Sequence, residues 1–276
     1  MSSIFLDQQN KLRNGWRILI FFIIFAFSIT LINAVFAILH IPQEILISEF
    51  LFLICVLIAT FIMMHFFEGK NLSEVGLKIS EKTKYEITFG LILGFVMITL
   101  VVIPNAIAGY YTYNFTPNQI YPQIFEALLF FVLVALAEEI LFRGYPFQRL
   151  IEATNPAIAT VVFSLLFASA HIFNPNVNLI SLANIFLAGL WLSSAYIKAN
   201  SLWLPISLHF SWNFFQGYLY SLPVSGSTLI EPVFDVQINS ENLISGGDFG
   251  PEGSILTSFV LIASTIFILK NKRLGK

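Results

Sequence analysis

Long apolar runs alternate along this chain with short polar connections. Eight runs stand out, at 16–39, 45–67, 87–109, 124–143, 156–172, 178–198, 202–220 and 254–270. A helix needs about 20 mostly apolar residues to cross about 30 Å of hydrocarbon. The run at 156–172 is short and the run at 124–143 carries charges, so hydropathy marks these two least clearly. The first run follows Lys11, Arg13 and Arg17 and extends from Ile18 to Leu39. That exceeds the roughly 7–15 apolar residues of a signal-peptide core, so it reads as a retained first transmembrane helix. The pattern predicts an all-α, polytopic integral membrane protein of about eight transmembrane helices.

The charges of the connections alternate. Lys11, Arg13 and Arg17 precede the first run, and Lys70, Lys78, Lys82 and Lys84 lie between the second and third. Arg143 and Arg149 follow the fourth, Lys198 ends the sixth, and Lys270, Lys272, Arg273 and Lys276 close the chain. The intervening connections hold no Lys or Arg, and 221–253 carries Glu231, Asp235, Glu241, Asp248 and Glu252. Basic loops stay on the cytoplasmic side. Eight spans with both termini cytoplasmic satisfy every connection, and seven or nine would break the alternation. Tyr110, Tyr111, Tyr113 and Tyr121 crowd one outer connection, as an interfacial aromatic belt would. The segment 221–253, rich in Ser, Gly and acids, is expected to be partly disordered.

Composition agrees: 57% of residues are hydrophobic and 11% charged, against about 25% charged in soluble domains. A net charge of −2 gives no basis for nucleic-acid binding. The single cysteine, Cys55, excludes an intramolecular disulfide and any CxxC metal motif.

A charge in mid-membrane costs roughly 2.5–3.5 kcal/mol on insertion scales, so such residues mark function. Three clusters qualify. In the first, Glu138 and Glu139 are followed by Arg143. Glu139 and Arg143, at i and i+4, can pair on one helix face, which leaves Glu138 to face elsewhere. A solvated helix end would also explain this cluster. In the second, Phe167 and His171 share a face across small residues. In the third, His209 and Asn213 share a face inside an apolar run, where interhelical hydrogen bonding is the plainer explanation. His40 and His65 lie near run ends and read as interfacial. One carboxylate, two imidazoles and one amide make a hydrolytic set: a base for water, hydrogen-bond or metal donors, and an oxyanion donor.

EExxxR, FxxxH and HxxxN in this order resemble the three motifs of CPBP intramembrane proteases, which include the Rce1-type CAAX prenyl endopeptidases. The likeness covers about 122–220, and Gly246–Gly253 also looks like bacterial members. It implies three parts: helices one to three (1–121), a catalytic region (122–220), and an outer loop with the last helix (221–276). It also implies that Glu138 and His171 activate the attacking water, that Glu139 and Arg143 hold their helix segment, and that His209 and Asn213 stabilise the oxyanion. The expected partners are the lipid bilayer and a peptide or membrane-protein substrate, cleaved from the cytosolic side as the family's prenyl proteases do. The donor set allows a zinc site at Glu138, His171 and His209, and equally a metal-free glutamate mechanism. No HExxH, rhomboid-type GxSG or presenilin-type GxGD motif occurs. Two other readings stand beside the protease. A proton-coupled transporter would use the same buried acids but should show repeated halves. A membrane scaffold or immunity protein would need no catalysis. The groups align best if the fourth helix continues past Arg143 towards Glu152, whereas Pro146 argues for a break.

Overall fold

The computed structural model describes all residues except 1–3, 8–10, 43, 116–122, 232, 240, 241 and 276. Tyr121, Glu241, Lys276 and the expected boundary at 121/122 lie outside the described residues. Nine α-helices occur among those described: α1 (Asn14–Ile38), α2 (Ile45–Ile62), α3 (Thr83–Ile107), α4 (Gln123–Arg143), α5 (Tyr145–Ala153), α6 (Pro156–Ala170), α7 (Leu179–Ala199), α8 (Trp203–Phe214) and α9 (Ile255–Lys270). Single π-turns extend α2 to Phe67 and α8 to Leu219. Every expected apolar run coincides with a helix to within a few residues. Four helical stretches, Asn14–Ile38, Ile45–Phe67, Thr83–Ile107 and Leu179–Ala199, are long and apolar enough to cross a membrane. Their outer faces remain apolar: on α1, Leu19, Ile23, Phe27, Leu31 and Val35 form an exposed ridge at i, i+4 spacing. A ridge of that size would be a liability in water and suits lipid.

Local chemistry sets the helix ends. Asn155 accepts the Ile158 N–H at 3.0 Å ahead of Pro156. Asn178 and Ser181 form a reciprocal cap at the start of α7, and Ser254 caps α9 through the Leu256 N–H. Such caps satisfy the orphan amides of the first turn.

The fourth helix does not run on to Glu152. It stops at Arg143, and α5 begins at Tyr145 with Pro146 in its first turn. A side chain at Gly144 would place its Cβ 2.1 Å from the Ile140 carbonyl oxygen. Proline supplies no amide to continue the previous helix and fits a first turn. The sequence reading lacked α5 as a separate element because it is short and only half apolar. It buries Tyr145 and Phe147 and turns Arg149 towards Glu68. Glu68 accepts from Arg17 at 2.8 Å and from the Tyr145 hydroxyl at 2.8 Å, so one carboxylate ties α1, the end of α2 and α5.

The opposite end of the bundle departs from expectation twice. The segment 221–253 is ordered among its described residues, with Leu222, Val224, Ile230, Val233 and Phe249 buried. Part of it forms β2 (Phe234–Ile238), antiparallel to β1 (Tyr111–Phe115), with Tyr113 opposite Val236. This ribbon is the one exception to the all-α architecture among the described residues. Tyr111 is also buried, at 2% exposure, and its hydroxyl donates to the Ser245 carbonyl. It anchors the ribbon and so leaves the expected aromatic belt. Gly226 has φ +85°, and a Cβ there would meet the Pro175 carbonyl oxygen at 2.0 Å, so only glycine lets this loop seat against 171–178.

Small residues bring the central helices together. A Cβ on Gly94 of α3 would sit 2.7 Å from Ser211 Cβ and 2.9 Å from the Leu208 carbonyl oxygen on α8. Backbone cannot yield there, and overpacking costs about 1–3 kcal/mol. Gly94→Ala is therefore expected to lower the thermal midpoint of the detergent-solubilised protein. Gly15→Ala, which meets nothing within 4 Å, should leave it unchanged.

Candidate active site

A cavity of about 550 Å³ lies between α1, α2, α4, α6, α7, α8 and the start of α9. Its walls are mainly aromatic and aliphatic, including Phe52, Phe131, Phe167 and Trp212. Into it project Glu138, His171, His209 and Asn213. No Lys or Arg is among the described lining residues.

The two neighbouring glutamates of α4 have different surroundings. Glu139 is fully buried and accepts from Arg143 Nη1 at 2.9 Å. The same Oε1 takes the His209 Nδ1 contact, also 2.9 Å. Arg143, fully buried too, donates to the Gly189 carbonyl at 3.1 Å and to Ser193 Oγ at 3.4 Å on α7. Its guanidinium lies 4.7 Å from the Phe167 ring centroid. One ion pair thus fastens α4 to α6, α7 and α8. Glu138, about 100° further round the helix, keeps its carboxylate 24% exposed, with Oε2 3.9 Å from His209 Nε2.

The Nδ1 atom of each ring has a fixed role. His171 is the C-cap residue of α6, and its Nδ1 lies 2.8 Å from the Phe167 carbonyl oxygen. A carbonyl only accepts, so Nδ1 carries the proton and Nε2 is left for the cavity. The Phe167 ring packs on His171 at 4.9 Å and edge-on to His209 at 6.3 Å. His209 Nδ1 must likewise donate to Glu139, which already neutralises Arg143. Asn213, one turn beyond His209 on α8, is buried against the same space.

All six residues singled out in the sequence, Glu138, Glu139, Arg143, His171, His209 and Asn213, therefore meet at one place. Four face the cavity, while Glu139 and Arg143 lie behind it. Among the described residues, no three His, Cys, Asp or Glu side chains are grouped closely enough to hold a metal ion. Glu138, His171 and His209 do not fit a three-ligand zinc site as they stand.

Two cavity carboxylates were missed by the sequence reading. Glu49 enters from the first turns of α2. It carried the same signal as the others, an acid inside an apolar run. Glu252 enters from the turn before α9 and accepts the Ser225 N–H. Asn184 holds the backbone there, donating to the Glu252 carbonyl at 2.8 Å. Burial raises the Glu252 carboxyl above its ordinary value, against the opposing pull of Ser225 and the two imidazoles.

Comparisons with known proteins agree with this geometry. Residues 120–215 match the family described as type II CAAX prenyl endopeptidase Rce1-like. This region is Rce1-like. It contains all six residues above, while Glu49 and Glu252 fall outside it. An uncharacterized 24.3 kDa protein of Escherichia coli is 37% identical over 97 residues, covering 34% of this chain and 44% of that protein. The match thus spans less than half of that relative's length. No solved structure matches.

Two outcomes follow for the Rce1-like region and its neighbour. Removing one partner of a buried ion pair costs about 3–5 kcal/mol, because the other charge is left uncompensated. Arg143→Met should sharply lower the thermal midpoint, and adding Glu139→Gln should recover part of the loss. A carboxyl with a raised folded value favours its protonated form in the fold. The stability it contributes is present below the ordinary carboxylate value and is lost as pH rises through the raised one. Glu252→Gln should accordingly flatten the fall of the thermal midpoint with rising pH.

Proposed function

We propose that this protein is an intramembrane endopeptidase that hydrolyses a peptide bond of a membrane-associated substrate, prenylated or leader-bearing, with water activated by Glu138 and His171. One observation carries the reading. Of two adjacent glutamates, Glu139 is spent on Arg143 and His209, while Glu138 presents its carboxylate to the cavity beside His209. A base must be placed where the reactant can reach it, and only the second of these carboxylates is. The match of residues 120–215 to the CAAX endopeptidase family adds support.

In this reading Glu138 accepts a proton from water as the water oxygen attacks the scissile carbonyl carbon. Nε2 of His171 accepts a hydrogen bond from the same water and orients it. The negative charge that forms on the carbonyl oxygen is met by the Asn213 amide and by His209. With Nδ1–H committed to Glu139, His209 donates from Nε2 in its imidazolium form. Donors aimed in advance at the developing charge lower the barrier. Glu138 then returns the proton to the leaving nitrogen, the C–N bond breaks, and a carboxylic acid and an amine result. Glu139 and Arg143 are positioning residues: they fix the angle of α4 and the ring of His209. The apolar walls suit an extended peptide or a lipid-modified one. The mechanism routes no step through zinc.

The test compares newly formed peptide termini in membranes containing the native protein or Glu138→Gln at matched levels. Loss of a general base costs about 10²–10⁴-fold in rate, so termini made by the native protein should vanish in the variant. Termini that persist would sink the mechanism. Cleavage should also survive 1,10-phenanthroline. Inhibition that added zinc reverses would place a metal in the reaction.

A further inference from the structure

The two ends of the bundle are chemically unlike, and the cavity belongs to only one of them. Contacts fix which segments share an end. Arg17, Glu68 and Arg149 form one ion-pair cluster. Leu202 N–H donates to the Gly76 carbonyl at 2.9 Å, and Gly275 lies against Lys198. The start of α1 and the α2–α3, α4–α6, α7–α8 and post-α9 connections are thereby gathered together. Every Lys and Arg among the described residues lies in these segments or in the adjoining helix turn. The opposite end gathers the β1–β2 ribbon, the Asn174–Ser225 contact at 2.9 Å and the Gly226–Phe249 contact at 3.1 Å, and holds no Lys or Arg among its described residues.

Towards the basic end the cavity is sealed. Beneath Leu141 and Phe142 lie Arg143, Tyr145, Phe147 and Phe163, each at 1% exposure or less. Towards the other end it has a rim. Ser225 and Ser227 are half-buried there and Leu229 is 37% exposed, all three from the 221–253 segment. Asn174 completes the rim from the turn after α6.

We propose that the cavity is entered from the end opposite the basic loops, which the positive-inside rule makes the non-cytoplasmic face. The substrate segment is then a stretch of peptide lying outside the cytoplasm, either exported or the outer portion of a membrane protein. The substrate rests on the protease reading; the face rests on the fold and on the placement of the basic residues, independently of that reading. It departs from the cytosolic cleavage that the family resemblance implies.

The experiment labels single cysteines in the full-length protein carrying Cys55→Ala. Leu229→Cys reports on the rim and Lys78→Cys on the basic end, with Thr228→Cys as a second rim position should Leu229→Cys misfold. A membrane-impermeant maleimide is added to sealed, right-side-out vesicles before and after permeabilisation. The rim cysteine is expected to react at once, and the basic-end cysteine only after permeabilisation. The reverse pattern, or a rim cysteine that stays protected until permeabilisation, would overturn the proposal. Labelling requires no catalysis. Failure of Glu138→Gln to abolish cleavage would therefore remove the protease reading without touching the assignment of the face.

Discussion

A guanidinium and a carboxylate buried together inside an apolar bundle constrain everything around them. Neither could be placed there alone, since an uncompensated charge in such surroundings costs several kcal/mol. Glu139 and Arg143 neutralise each other across one turn of α4, and the rest of the site is arranged around their leftover hydrogen-bonding capacity. Arg143 uses two further donors on the Gly189 carbonyl and Ser193 of α7. Glu139 spends its shared oxygen on His209 of α8. The pair does no chemistry in the proposed reaction. It determines where the neighbouring carboxylate points and which nitrogen of His209 is free.

This interaction was largely legible in the sequence. The i, i+4 spacing of Glu139 and Arg143 is a local property of a helix and needs no tertiary information. The eight apolar runs were also readable, because the bilayer sets the length of any helix that crosses it. What was not readable depended on contacts distant in the chain. The stop at Gly144 was hinted at by Pro146, but its necessity comes from the Ile140 carbonyl and from Glu68, 77 residues from Tyr145. The β1–β2 ribbon pairs residues 119 (Phe115 and Phe234) to 127 (Tyr111 and Ile238) positions apart; each strand alternates apolar and polar residues over five positions, but nothing local pairs the two. The 221–253 segment has the composition of a disordered loop. Its described residues are ordered because a few apolar side chains reach the core while Asn184, Ser225 and Glu252 bind its backbone and turns.

Glu49 and Glu252 illustrate a limit of reading by motif. The three recognised patterns all lie within 120–215, yet the cavity wall is finished by α1, α2, the 221–253 segment and α9. The residues proposed to act lie in one stretch of chain, and the shape of the space is set by several others. Proteins that share this stretch can therefore differ in what they admit. The E. coli relative is matched over 97 residues, 44% of its length.

The shortness of α6 has a consequence for supply. Its 15 residues rise only about 22 Å, roughly 8 Å less than the hydrocarbon thickness. If α6 starts at one surface of the bilayer, the turn that follows it, with His171, Asn174 and Asn176, falls short of the other. A short spanning helix is accommodated by thinning the bilayer around it, which brings the aqueous boundary down to its end. Hydrolysis consumes one water per bond, in a medium that holds almost none. For the proposed reaction, a helix too short for its membrane would bring the second reactant to the depth at which the first is held.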